Sequence, residues 1–416
     1  MRNQSLPYDV FFEALRDNEV DALKAHPVLI VCGDAKCTDK MVAAVRKRGL
    51  EAICCSCVED ARSLLSRRRF SLVFSSDTLP DGEVRSVIGP AGTIPVVVFS
   101  QRTDWGKGSP FNQAQDSEEF ANMSGRRLKT KVLVDGGDPQ ETLRVRSLVG
   151  YVDGQTTNPS LIAKNPEVRK VVSSGQKFSS QEELDEYKKI VQTISPLVGD
   201  AGVSIEVFAD LDTPAEQMFA QGQEMFSWVP NAYVKYPCTH EGLRAAQMSV
   251  ARGIRVNITL CFSQDQAAAV YAATKGSKEP VYVSPFLGRL DDRGDNGMDL
   301  VRNIKRMYQA GDGHVHVLAA SIRHLKHVLG SFASEAELVT APCKVWEEWA
   351  AASFPVPEKG FVYTGTDKTG HDLKPIPYKE FDLRQPWESF DIRHELTAKG
   401  IQQFVADYQR TLRQSA

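Results

Sequence analysis

Lys235 ends a short apolar run, Asn231-Ala-Tyr-Val-Lys235-Tyr-Pro237. An ammonium set among Val234, Tyr236 and Pro237 loses hydration, and desolvation favours the neutral amine that a Schiff-base nucleophile requires. A lone lysine in such a run more often snorkels to water from an edge strand. Here, however, polar residues recur at the ends of other apolar runs: Asp135, Thr157 and Asn158, Glu206, Asn257 and Thr259, Ser284 and Arg289, Ser321 and Arg323. Carboxylates near an amine can exchange protons with it if they titrate near neutrality. Two arginines can fork a phosphate dianion. Singly, each residue has an ordinary explanation: Asp caps turns, Thr favours extended backbone, Arg sits on surfaces. Their joint placement is the signal.

The elements that would position these groups follow from apolar periodicity. From residue 131 onward the chain yields eight strand candidates: Val132–Asp135, Gly150–Gly154, Val203–Phe208, Ala232–Tyr236, Arg255–Cys261, Val281–Phe286, Val315–Ala320 and Leu338–Ala341. Helical stretches separate them, among them 181–198, 241–251, 264–273, 298–310 and 322–329. Eight β/α units over this length predict a (β/α)8 TIM barrel, with an open doubly wound sheet as the alternative. In such a barrel, polar residues at the C-terminal ends of strands read as chemistry. A helix at 346–352, a proline-rich connection and a final amphipathic helix follow. The stripe Leu396, Ile401, Phe404, Val405, Tyr408 and Leu412 reads as a packing face.

An earlier pattern spans 27–101. Four apolar runs (28–32, 51–55, 70–74, 94–99) alternate with helical segments at 41–45 and 58–68, which predicts a parallel sheet covered on both faces. Residues 102–129 are polar and glycine-bearing and read as a connector. The expected division is therefore 1–125 for an α/β lobe with its linker and 126–416 for the barrel with a C-terminal helical extension.

With 42% hydrophobic and 25% charged residues and a net charge of −3 over 416 residues, the chain has a globular composition. It gives no sign of nucleic acid or an anionic membrane as partner. Without an apolar leader or spanning run, cytoplasm is the expectation. The eight cysteines mostly lie in apolar runs, and Cys54-Cys55-Ser-Cys57 lacks a second ligand pair at zinc spacing. Reduced, buried thiols and no metal are expected.

Six segments, in order, resemble those of the transaldolase family: Asp135-Gly-Gly-Asp138, Thr156-Thr157-Asn158-Pro-Ser160, Ser204-Ile-Glu206-Val, Val234-Lys235-Tyr-Pro, Asn257-Ile-Thr259-Leu and Ser284-Pro-Phe286-Leu-Gly-Arg289. The resemblance covers about 131–350. It implies cofactor-free transfer of a dihydroxyacetone unit between sugar phosphates, from sedoheptulose 7-phosphate or fructose 6-phosphate to glyceraldehyde 3-phosphate or erythrose 4-phosphate, in the pentose phosphate pathway. By that resemblance Lys235 attacks the ketose carbonyl and Asp135 serves as acid and base. Glu206 and Thr259 hold a proton-shuttling water. Thr157, Asn158, Asn257 and Ser284 line the dihydroxyacetone site, and Arg289, Ser321 and Arg323 take the phosphate.

Related fructose 6-phosphate aldolases tend to carry glutamine and tyrosine where this chain has Glu206 and Phe286, so both positions favour transfer. Tyr236 departs from the small aliphatic residue usual after the lysine. A non-catalytic sugar-phosphate sensor is the remaining alternative, although a pure binder needs no nucleophile.

The front lobe resembles a response-regulator receiver, through 28–34, Leu79-Pro80-Asp81-Gly82 and Pro95-Val-Val-Val-Phe-Ser100. Ser76 stands at the phosphoacceptor position. The resemblance therefore implies a truncated, unphosphorylated pseudo-receiver. Its expected role is docking of a protein or of another subunit, with homo-oligomerisation as one form, or no regulatory role at all.

Overall fold

The computed structural model describes residues 20–21, 23–76, 78–79, 82–83, 96–99, 128–358 and 360–413. They fall into two compact units divided between Arg127 and Leu128.

In the first unit, strands β1 (Val28–Val31), β2 (Ala52–Cys55), β3 (Leu72–Ser76) and β6 (Val96–Phe99) form a parallel sheet in the order β2-β1-β3-β6. The two-residue strands β4 (Thr78–Leu79) and β5 (Gly82–Glu83) pair separately. Helices α1 (Ala35–Lys47) and α2 (Val58–Arg67) follow β1 and β2. Strand alternation explains the layering: Val28 and Ile30 pack with Met41 and Val45 on one face. Leu29 and Val31 pack with Val58 and Ala61 on the other. Asp77, Pro80 and Asp81 of the receiver-like pattern, and the connector up to Arg127, lie outside the described residues.

The second unit is a closed barrel of eight parallel strands. They are β7 (Lys131–Asp135), β8 (Gly154–Thr156), β9 (Gly202–Glu206), β10 (Ala232–Pro237), β11 (Val256–Cys261), β12 (Val281–Pro285), β13 (Val315–Ala319) and β14 (Leu338–Ala341). Between β7 and β9 run α3 (Pro139–Val149), α4 (Pro159–Ile162), α5 (Pro166–Ser173) and α6 (Ser180–Ile194). Next come α7 (Ala215–Phe226), α8 (His240–Val250), α9 (Gln264–Ala273), α10 (Leu287–Asp291) and α11 (Gly297–Tyr308). The series closes with α12 (Leu325–Ala333), α13 (Cys343–Ala351) and α14 (Glu395–Thr411).

Two elements differ from the sequence reading. The second barrel strand begins at Gly154 rather than Gly150, because Asp138 caps a helix that runs to Val149 and Gly150 closes it at φ 86°. The helix expected from Ile322 starts at Leu325. Ser321 is left-handed (φ 58°), and the intervening residues form a turn before it.

The barrel's inner face is layered. An apolar floor of Leu133, Ala201, Tyr233, Tyr282, Leu318 and Leu338 fills one end, with the Tyr233 and Tyr282 rings stacked 4.1 Å apart. Two residues further along four of these strands, toward the C-terminal end, the inward positions turn polar: Asp135, Lys235, Ser284 and Thr340. Outward positions join the large core between strands and helices, with Val234 and Tyr236 among them.

Candidate active site

Strand register sets the polar layer. In the parallel ladders Lys235 pairs with Glu206 on one side and with Asn257 on the other. Asp135 pairs with Thr156, and Pro237 with Thr259. Three neighbouring strands thus bring an acid, an amine and an amide to one level.

Lys235 is 3% exposed. Its Nζ lies 3.0 Å from Glu206 Oε2 and donates to the Thr157 carbonyl at 3.2 Å. Of the surroundings the sequence suggests, it is the acids and not the apolar neighbours that face the amine, because β-strand alternation turns Val234 and Tyr236 away from the barrel interior. Tyr236 reaches outward to Ser249 Oγ at 2.9 Å. It fits because residue 222 is glycine: a Cβ there would stand 1.9 Å from the tyrosine oxygen. The unusual tyrosine is therefore accommodated on the outer wall.

Burial pushes the Glu206 carboxyl up, against the pull of Lys235. Burial likewise raises Asp135, opposed by Lys235 and by the hydrogen bond that Thr156 Oγ1 donates to Asp135 Oδ1 at 2.8 Å. Both acids are thus shifted toward neutrality, the condition for moving protons at working pH. Asn257 is held by Ser204 Oγ at 3.1 Å and accepts from Ser284 Oγ at 2.8 Å. The buried Thr259 hydroxyl has no hydrogen-bond partner among the described residues. Thr157 behaves differently: its hydroxyl donates to the Ser204 carbonyl at 2.8 Å and contacts Tyr187 Oη at 2.6 Å. The same tyrosine oxygen accepts the Glu206 backbone N–H at 3.0 Å. Thr157 and Tyr187 therefore seat the backbone around Glu206 and Lys235.

A cleft of about 580 Å³ opens above this layer. It is lined by Asp135, Asn158, Lys235, Ser284, Phe286, Arg289, Ser321 and Arg323. Thr157, Glu206, Asn257 and Thr259 are not part of that lining, and Glu206 lines a small separate cavity with Phe404 and Tyr408. Asn158 caps α4 through its side-chain oxygen at 2.9 Å from Leu161 N, which leaves its amide nitrogen free to donate elsewhere.

The far wall is cationic. Arg289 lies between the Phe286 and Phe404 rings, 5.4 and 5.6 Å from their centroids. Burial and the nearby Arg323 both disfavour its charge. Two guanidinium groups sharing a partly desolvated wall would be relieved by an anion. Ser321, between them in the cleft lining, holds a left-handed backbone that costs a non-glycine residue on the order of 1–3 kcal/mol.

Helix α14 was read as a packing face, and it does pack, against α4. It also contributes Gln403, Phe404 and Asp407 to the cleft, and Asp407 accepts from Ser160. Gly400 lets the helix approach, since a Cβ there would meet Arg289 and Leu260 at 2.6 Å. Gln403 and Asp407, with Lys164 and Glu141, carry no signal in the sequence. Phe404 is legible only as part of the packing stripe, and Ser160 only inside the segment Thr156–Ser160. Among the described residues no group of three His, Cys, Asp or Glu is placed to hold a metal ion. Among them, too, no helix is long and apolar enough to cross a membrane.

A family model described as Transaldolase/Fructose-6-phosphate aldolase matches residues 132–415. Curated relatives match as well. A probable transaldolase of Roseiflexus sp. (strain RS-1) is 39% identical over 208 residues, 50% of this chain and 84% of the relative. One of Dehalococcoides mccartyi is 37% identical over 215 residues, 52% of this chain and 88% of the relative. One of Maricaulis maris (strain MCS10) is 36% identical over 262 residues, covering 63% and 89% respectively.

Proposed function

Because the chain belongs to the transaldolase/fructose-6-phosphate aldolase family, we propose that it transfers a dihydroxyacetone unit between sugar phosphates through an imine on Lys235. The observation that carries this reading is the buried Lys235–Glu206 pair at 3.0 Å, with Asp135 in the same cleft.

Lys235 passes a proton to Glu206, whose buried carboxyl is shifted toward holding one. The free amine attacks the ketose C2 carbonyl. Loss of water, with protons carried by Glu206 and a water held at Thr259, leaves a protonated imine. Asp135 then takes the proton from the C4 hydroxyl, the C3–C4 bond breaks, and the aldose departs. The electron pair of that bond flows into the imine as an enamine. An acceptor aldehyde forms the new carbon–carbon bond by the same steps reversed, with Asp135 returning the proton. Arg289, Ser321 and Arg323 grip the phosphate, and Asn158, Asn257 and Ser284 orient the three-carbon unit. Sedoheptulose 7-phosphate with glyceraldehyde 3-phosphate, giving erythrose 4-phosphate and fructose 6-phosphate, is the proposed pair of the pentose phosphate pathway.

Transfer is favoured over simple cleavage because the carbanion must survive until an acceptor arrives. Phe286 lines the cleft and packs edge-on to Phe262 at 5.7 Å. Its ring has no proton to give. The test compares transfer from fructose 6-phosphate to erythrose 4-phosphate with release of free dihydroxyacetone when acceptor is withheld. Transfer should dominate by about 10²-fold, the size of effect a missing general acid produces. Release as fast as transfer would contradict the role given to Phe286.

A further inference from the structure

Behind the cationic wall lies a histidine for which the reaction above has no use. His327, in α12, is fully buried. Its Nδ1 accepts the backbone N–H of Arg323 at 3.2 Å. A ring nitrogen that accepts carries no hydrogen, so the neutral ring holds its proton on Nε2. That nitrogen faces Asp291 Oδ2 at 2.8 Å. Tyr363 donates to the same oxygen at 2.5 Å, and Asp291 Oδ1 accepts the Gly297 N–H at 2.8 Å. Every oxygen of this buried carboxylate is therefore engaged.

Asp291 ends α10, the helix that carries Arg289. One imidazole thus joins the backbone of Arg323 to the helix of Arg289 through its two ring nitrogens. The Arg323 guanidinium is tied to the same helix end, through Asp292 at 3.3 Å. Such bracing answers a physical need. Two arginines facing one cleft repel each other while no anion lies between them. Something other than their own attraction must set their spacing.

We propose that His327, Asp291 and Tyr363 form a positioning unit that fixes the separation of Arg289 and Arg323 and so sets the affinity for the substrate's phosphate group. The proposal rests on the sugar-phosphate reading of the cleft and adds to it residues that touch no substrate. A spacing held by buried hydrogen bonds pre-organises the phosphate fork, so binding need not order it.

The two nitrogens can be tested separately in the full-length chain. His327→Asn keeps an acceptor for the Arg323 N–H but falls short of Asp291. His327→Gln reaches Asp291 but offers nothing at the Nδ1 position. Tyr363→Phe removes a single hydroxyl and guards against a histidine variant that fails to fold. Three quantities are measured: the KM for glyceraldehyde 3-phosphate, the competitive inhibition constant of inorganic phosphate, and borohydride trapping of dihydroxyacetone.

His327→Asn should raise the first two about tenfold, the worth of one lost charge-assisted contact, and His327→Gln about threefold, the worth of one neutral hydrogen bond. Tyr363→Phe should raise them about tenfold as well, since the hydroxyl it removes donates to the Asp291 carboxylate. Trapping of unphosphorylated dihydroxyacetone should stay at the wild-type level in all three. Unchanged phosphate inhibition, or an equal loss of trapping, would overturn the proposal. A wild-type chain that forms no adduct would instead refute the imine reading. Binding of inorganic phosphate, read directly by calorimetry, would still report on the positioning unit.

Discussion

The two walls of the cleft are built in different ways. On the amine wall, Glu206, Lys235 and Asn257 are direct register partners on adjacent strands. On the anion wall, Arg289 stands on a five-residue helix and Ser321 and Arg323 on a turn. Strand pairing fixes the first set wherever the barrel closes. Loops offer no such constraint, so the second set depends on hydrogen bonds from residues further back. On the proposed mechanism the amine wall carries the groups that exchange protons, and the anion wall the cations that hold the phosphate. That reading gives chemistry to the rigid ladder and recognition to the braced loops.

Substitutions should separate the walls by which kinetic quantity they move. The largest effect belongs to Lys235→Met, which should lower kcat by at least about 10⁴-fold, the scale on which a lost nucleophile acts. Phosphate inhibition should persist in that variant. Glu206→Gln should lower kcat by about 10²–10⁴-fold and leave KM close to wild type. A KM-dominated loss there would erase the distinction between the walls. Arg289→Ala should do the reverse. It should raise KM for phosphorylated substrates about 10- to 100-fold, as expected for a lost charge-assisted pair, with kcat at saturation nearly kept.

The pH profile sharpens the same contrast. Burial raises both Asp135 and Glu206. A raised acid holds its proton to higher pH, so base function is lost as pH falls through the raised value. The acid limb of kcat should therefore lie above the ordinary carboxylate range of about 4. Glu206→Gln should change the shape of that limb, and Arg289→Ala should leave it in place.

The smallest effect lies outside both walls. Glu183 is buried, and its two carboxyl oxygens have no hydrogen-bond partner among the described residues. Burial pushes its pKa up to about 8. In the unfolded chain the group ionises near 4.5, so the folded state loses stability as pH rises from there to about 8. Glu183→Gln should melt at a higher temperature than wild type at pH 8, by about 2–4 kcal/mol of stability. The difference should shrink toward zero at pH 4. Activity at pH 7 should change little.

How legible each wall was in the sequence follows from the same difference. Apolar runs of period two announce strands, and strands in a barrel imply which residues stand level. Lys235, Glu206, Asn257 and Asp135 could therefore be placed before any coordinates. Arg289 and Arg323 were found through the resemblance of their segment and by their position after strands, not through any period. The bracing residues were invisible. His327 lies in an apolar helix, Asp291 beside a half-buried acid, and Tyr363 in a segment without regular structure, and only folding brings them together. Gln403 and Asp407 were hidden for a related reason. A helix stripe shows which face is apolar, but not that its margin overhangs a cleft. The strand misplaced at Gly150 shows the limit of apolar counting, since a glycine that ends a helix looks the same as one that opens a strand.

Borohydride reduction in the presence of fructose 6-phosphate, followed by mass analysis of the peptide containing Lys235, is the most direct test. A dihydroxyacetone-derived mass added to that lysine, and absent from Lys235→Met, is the predicted result. An unmodified Lys235 across pH 6–9, or an equal adduct on another lysine, would contradict the account.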